Sequence, residues 1–172
     1  MILGMNTETF TLLHVWISLA GIGSGLIVLI GLIGGRRLEH WTTIFLVTTV
    51  ATSLTGFAFP INGLTPGHVI GALSLASLAL AILALYQFQL AGSWRRTYVI
   101  TATIALYLNV FVAVVQAFLK VPSLKAAAPT QSEPALALTQ LAVLGCFVAL
   151  GVAAVRRFKE VTVRAAYAGG EC

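Results

Sequence analysis

The sequence predicts an all-α fold, a polytopic bundle of about five helices that cross a membrane. Of its 172 residues, 59% are hydrophobic and 9% are charged, and the mean hydropathy is +0.98. Typical soluble domains carry about 25% charged residues. A soluble fold of this size could not bury so much apolar surface, whereas lipid accepts apolar side chains on every side of a helix.

Five apolar runs approach the ~20 residues that a spanning helix needs. We expect one transmembrane domain over residues 1–172, with helices near 10–33, 41–59, 67–90, 98–119 and 136–155. The second run is the shortest and the richest in threonine, and small polar side chains of this kind predict a helix in the centre of the bundle. The first run is expected to remain as a helix, since residues 1–8 contain none of the basic residues of a signal peptide.

Lysine and arginine alternate between the loops in a way that predicts the orientation. Eight of the ten basic residues follow the first, third and fifth runs, and two lie in the loop after the fourth. Basic residues accumulate on the cytoplasmic side. The pattern therefore predicts an external N-terminus and a cytoplasmic C-terminus. The eight are Arg36, Arg37, Arg95, Arg96, Arg156, Arg157, Lys159 and Arg164, and the two are Lys120 and Lys125.

Several function classes find no support in the residues. The basic clusters are not interleaved with aromatic side chains on one face, so a nucleic-acid partner is not expected. Motifs of hydrolases, nucleotide-binding loops and zinc proteases are missing, which makes an enzyme the less favoured class. Cys146 lies inside an apolar run and is expected to be a small buried residue, and with Cys172 it indicates no disulfide framework.

Small and polar residues mark the faces on which the helices should pack. Gly21 and Gly25 form a GxxxG pair, and Ser18 and His14 continue the same stripe towards the N-terminus. Small residues at this spacing let spanning helices approach closely. His14 is therefore expected to face the bundle.

Polar side chains collect at the predicted outer end of the bundle. Polar groups at membrane depth are costly, so by default they indicate function. The set comprises His14, Asn62, His68, Gln116, Lys120, Glu133 and Gln140. Asn109, Gln116 and Lys120 share one helical face, because they lie seven and then four residues apart. The expected cofactor-binding residues are His14, His68, Asn109 and Gln116.

Three interpretations of this set stay open. His14 and His68 could be the axial ligands of one b-type haem. The set could instead hold a quinone head group, or a metal ion through His14, His68 and Glu133. In the third interpretation the histidines only pack, and the chain is a non-enzymatic subunit or assembly partner of a larger membrane complex, with electron transport the favoured context. Transport of a small solute by an oligomer is a further alternative.

Four stretches together resemble a family of uncharacterised small multi-spanning inner-membrane proteins of bacteria. They are 48–60 (TTVATSLTGFAFP), 66–75 (PGHVIGALSL), 107–122 (YLNVFVAVVQAFLKVP) and 128–134 (APTQSEP). The resemblance implies a bacterial inner-membrane location, a lipid environment and a multi-helix fold. It brings no catalytic residues, but it contains His68, Asn109 and Gln116. The loop over 120–134 is expected to be ordered, as a lid on the polar set or as a docking surface.

Overall fold

The computed structural model describes residues 4–59 and 66–168, with side chains as far as Phe158, and this part is helical without a β-strand. The predicted all-α class is confirmed. The helices are α1 (Thr7–Ile33), α2 (Glu39–Phe57), α3 (Pro66–Ile82, continued by a π-helical turn, Leu83–Gln87), α4 (Trp94–Lys120), α5 (Pro122–Ala127) and α6 (Pro134–Ala168). The predicted site residue Asn62 lies outside the described residues.

Four helices of the described chain are long and apolar enough to cross a membrane, so this is a membrane protein. They are Thr7–Ile33, Pro66–Gln87, Trp94–Lys120 and the Pro134–Phe158 part of α6. The second predicted span, α2, is not among them. It has 19 residues, but seven of them are serine or threonine, and these lower its hydropathy.

Helix ends differ from the predicted ends where charged residues extend a helix beyond its apolar run. α4 begins at Trp94, four residues before the predicted start, and α6 continues to Ala168 instead of ending near 155. Arginine is a good helix former, so the basic flanks stay helical. Apolar runs mark the part of a helix that can lie in lipid, and they do not mark its ends.

α4 occupies the centre of the bundle. It contacts α1, α2, α3 and α6, whereas α2 packs chiefly along α1 and α3. The prediction of a central α2 is therefore wrong. α4 can take this place because its buried face alternates small residues, Ala102 and Ala105, with the larger Tyr98, Val99 and Leu106.

The close approach of α1 to its neighbours depends on the predicted GxxxG pair, which is buried as expected. A Cβ atom on Gly25 would lie 2.6 Å from Leu106 Cδ1 and 2.8 Å from the ring of Phe45. On Gly21 it would lie 3.1 Å from both Asn109 Nδ2 and Thr49 Oγ1. The two glycines therefore set the distance from α1 to α2 and α4.

α6 and the segment before it lie apart from this tight packing. Only 11% of the spanning part of α6 is buried, against 28–39% for the other three spanning helices. Cys146 lies on its exposed surface, so the prediction of a buried cysteine is wrong. The segment with α5 is ordered on a small apolar cluster of its own, formed by Phe118, Ala128 and Leu136.

Gly25→Ala should destabilise the bundle, because the added methyl group meets two buried side chains closer than van der Waals contact. Overpacking of this kind typically costs about 1–3 kcal/mol. Thermal unfolding in detergent measures it. Gly23→Ala is the matched control, since nothing lies within 4 Å of its added Cβ. Equal melting temperatures for the two variants would contradict the packing described for α1.

Candidate ligand-binding cavity

A cavity of about 560 Å³ lies between α1, α2, α3 and α4. All four predicted cofactor-binding residues, His14, His68, Asn109 and Gln116, line it, and Lys120 lines it as well. Most of the remaining wall is apolar. The size and the few polar groups are typical of sites for small organic ligands, which occupy about 300–1,000 Å³. The apolar wall includes Val15, Leu19, Ile22, Ile70, Leu108, Val112, Ala113 and Ala117.

The cavity runs from the buried middle of α4 to the exposed end of that helix. Asn109 is 8% exposed, whereas Gln116 and Lys120 are exposed. At about 1.5 Å per residue, the step from Asn109 to Lys120 is roughly 16 Å along the helix axis. A ligand that reaches Asn109 is therefore deep in the bundle, and Lys120 stands near the mouth.

His14 is held in one tautomer by α2. Its Nδ1 lies 2.8 Å from Thr55 Oγ1, and the Thr55 hydroxyl donates its proton to the carbonyl of Ala51 at 2.7 Å. A hydroxyl has one proton, so while Thr55 donates to Ala51 it accepts from His14, and Nδ1 then carries the hydrogen. Nε2 then keeps a free lone pair, and the described residues offer it no hydrogen-bond partner. Phe59 packs edge-on against the ring at 5.3 Å.

Asn109 is a buried polar group on the cavity wall whose hydrogen-bonding requirement is unmet. Its Nδ2 is buried and has no hydrogen-bond partner in the described chain. The hydroxyl of Thr42, near the start of α2, is in the same condition outside the cavity lining. So are two further α2 hydroxyls, on Thr49 and Thr52, of which Thr52 lines the cavity. Such groups cost about 1–3 kcal/mol each when left unpaired. A bound ligand would explain why Asn109, Thr49 and Thr52 keep unpaired polar groups in the same part of the bundle.

His68 enters the cavity from the first turn of α3. Its ring lies 5.4 Å from that of Phe57, which also packs against the bare backbone of Gly71. Ser53 and Ser74 join α2 to α3 below it through a hydroxyl pair at 3.0 Å. His68 therefore lines the cavity from α3, which packs against both α2 and α4.

Two residues of the predicted set lie elsewhere. The carboxylate of Glu133 accepts hydrogen bonds from the backbone N–H groups of Thr130 and Ser132, and it closes its own turn. The bond from the Thr130 N–H lowers the pKa of Glu133 below its usual value, followed by smaller contributions from neighbouring donors. Gln140 donates to the carbonyl of Phe111 and ties α6 to α4. Sequence order placed both at the same end of the bundle, but local bonds hold them away from the cavity.

The described residues form no metal site, and most of the 120–134 loop does not line the cavity. No three histidine, cysteine, aspartate or glutamate side chains there lie close enough to hold a metal ion. The proposed set of His14, His68 and Glu133 is therefore not brought together. No residue of α5 lines the cavity either, since α5 packs on α4. Of the 120–134 loop, Lys120 lines the cavity and the residues after it do not.

Sequence reasoning missed the partners that orient the two histidines. Thr55 continues a helical stripe with Thr48 and Thr52, at offsets of four and seven, and that stripe was the available signal. The sequence contains no signal for the contacts of Phe57 with His68 and of Phe59 with His14, because they depend on how the end of α2 packs against α1 and α3.

Models of known protein families, curated proteins and solved structures give no match to this chain. The function of the protein is therefore inferred from the chemistry of the cavity.

Proposed function

We propose that the protein binds a small amphipathic molecule of the quinone class in this cavity. The observation that carries the proposal is Asn109, which lines an otherwise mostly apolar space and whose buried amide N–H has no partner among the described residues. A ring carbonyl is the neutral acceptor that would satisfy the amide without bringing a charge into the membrane.

His14 complements Asn109 because it presents the opposite hydrogen-bonding character. With Nδ1–H bonded to Thr55, its Nε2 is an acceptor. The oxidised head group would accept from Asn109, and the hydroxyl of the reduced head group would donate to His14. The cavity thus offers partners to both redox forms, while Gln116 and Lys120 supply further donors near the mouth.

The apolar tail of such a ligand has a route into the bilayer. Val15 and Leu19 line the cavity on α1, yet they are 38% and 51% exposed at the protein surface. In a membrane that surface meets acyl chains. A tail lying along Val15 and Leu19 would pass directly from the cavity into lipid, so the ligand would not need to cross water.

The b-type haem alternative rests on the same His14 arrangement, since haem-ligating imidazoles also keep Nδ1–H bonded. We favour the quinone class because the deepest polar group is an amide, which hydrogen-bonds a carbonyl and is not a haem ligand. An optical spectrum of reduced protein separates the two. A sharp α-band lost in His14→Ala or His68→Ala would identify haem.

We further propose that α2 is a fifth span, with the N-terminus outside and the C-terminus in the cytoplasm of a bacterial inner membrane. Its 19 residues reach about 28 Å, close to the hydrocarbon thickness of ~30 Å. α1 and α3 pack along it, and its exposed side includes the apolar residues Ile44, Val47 and Leu54. Reporter fusions at the N-terminus and the C-terminus of the chain measure this. If both termini lay on the same side of the membrane, five spans would be contradicted.

A second candidate function, a subunit or assembly partner of a larger membrane complex, is favoured by the exposed surface of α6. Small residues follow one another there at helical spacing, at Ala142, Gly145, Cys146 and Ala149, and all four are exposed. Such stripes let another spanning helix pack closely. A quinone-binding subunit of an electron-transport complex would combine both candidates.

Asn109→Leu should raise stability and weaken binding together. Removing an unpaired buried amide should raise the melting temperature of the ligand-free protein by about 2–6 °C. Loss of one hydrogen bond should weaken the affinity for a short-chain benzoquinone about tenfold. Thermal unfolding and calorimetric titration in detergent measure the two effects.

Thr103→Val is the matched control for this substitution. Thr103 is buried on the same helix and its hydroxyl bonds the carbonyl of Val99, away from the cavity. Benzoquinone affinity should be unchanged in this variant. Undiminished affinity in Asn109→Leu would sink the proposed role of the amide.

A photo-crosslinker on Cys146 should capture one discrete membrane partner in native membranes, because this residue lies within the small-residue stripe. Cys172→Ser removes the other cysteine. The control carries the label on Leu73→Cys in a background that also has Cys146→Ser, since Leu73 is exposed on α3. Equal capture from both positions, or none from Cys146, would count against a partner on α6.

A further inference from the structure

We propose that a second cavity, at the opposite end of the bundle, binds the phosphate head group of an anionic phospholipid. The cavity measures about 420 Å³ and lies between the start of α4 and the spanning end of α6. Its lining combines Arg95, Arg96 and Ser93 with Val99, Val155 and Phe158. The site is independent of the ligand cavity described above, because the two use opposite halves of α4.

Arg95 and Arg96 supply the charge. Neither makes an ion pair with a carboxylate in the part of the chain whose side chains the structure describes, where the recorded pair is Arg37 with Glu39. Guanidinium groups bind phosphate oxygens through two parallel hydrogen bonds and keep their charge at any physiological pH. Two adjacent guanidinium groups on a cavity wall, without an ion pair among the described side chains, are therefore suited to a phosphodiester.

The apolar floor indicates a lipid instead of a soluble phosphate compound. Val99 and Phe158 are buried, and both belong to helices that continue into the membrane. A free phosphate ion gains nothing from such a surface. The first methylene groups of an acyl chain would gain about 0.8 kcal/mol for each one buried. Basic pockets between spanning helices are known to take head groups of this kind.

The turn before α4 holds this cavity in a fixed shape. Phe88 stacks on Trp94 at 3.8 Å with the rings nearly parallel. Gln89 and Leu90 have positive φ angles of 44° and 60°, and the Leu90 N–H bonds the Ala84 carbonyl at 2.9 Å. Positive φ is costly for residues with side chains, so this turn persists only because its surroundings hold it. The two arginines follow this constrained turn directly, in the first turn of α4.

The test is native mass spectrometry of the whole protein with added phosphatidylglycerol or phosphatidylcholine, which share the phosphodiester and differ in net charge. Wild type should retain one phosphatidylglycerol about tenfold more tightly than phosphatidylcholine, and Arg95→Gln with Arg96→Gln should abolish that preference. Arg156→Gln with Arg157→Gln removes the same charge at the same end outside the cavity lining, and it should keep the preference.

Three results would overturn the proposal: no preference in wild type, an equal loss in both double variants, or displacement of the lipid by millimolar inorganic phosphate. The last would assign the site to free phosphate. If the double variant fails to fold, Arg96→Gln alone serves, because Arg96 is exposed and its replacement disturbs no packing. Full retention of the preference in that variant would equally contradict the assignment.

Discussion

The fold depends on one constraint, that every polar group inside a membrane-spanning bundle needs a partner within the protein. α2 meets it largely by itself. Its hydroxyls return to carbonyls one turn earlier, as Thr48 does to Ile44, Ser53 to Thr49 and Thr55 to Ala51. A helix with seven hydroxyl residues can thereby lie between apolar neighbours. The buried polar groups that do not make such a local hydrogen bond still need a partner.

In the described chain, four residues outside the cavity lining also keep a buried polar atom without a hydrogen-bond partner, namely Thr42, Tyr98, Gln131 and Gln140. The other three lie closer together. Thr49, Thr52 and Asn109 are buried without partners close to α1, and two of them line the cavity. The glycines of α1 bring the helices close enough to exclude water from the bundle there. Tight packing around an unsatisfied amide is destabilising by itself. A site that retains such a group gives up stability for a bound partner, a trade that is common where function and stability compete.

Composition and periodicity were sufficient to predict the class of fold and the helices that carry it. The stripe from His14 to Gly25 and the face from Asn109 to Lys120 also brought three of the four expected residues, His14, Asn109 and Gln116, to one cavity, because both follow from helical spacing alone. His68 reaches the cavity from the start of α3. That spacing does not decide whether these residues bind a ligand. The exposed Cys146 and the central position of α4 could not be predicted, since both depend on which helices are neighbours.

The position of Glu133 also could not be predicted from the sequence. Sequence order places it near the polar set, but three donors within its own turn satisfy it first. Local hydrogen bonds outcompete distant ones because they order fewer residues. The orienting bond from His14 to Thr55 spans 41 residues and required the fold itself.

The central claim, that the cavity holds a carbonyl-bearing amphipathic molecule, is tested most directly by what the protein carries out of the membrane. Organic extraction of protein purified in mild detergent, followed by mass spectrometry, should yield a quinone at close to one molecule per chain. The same extraction from Asn109→Leu should yield several-fold less. Extracts without a quinone, from cells that make one in quantity, would contradict the account.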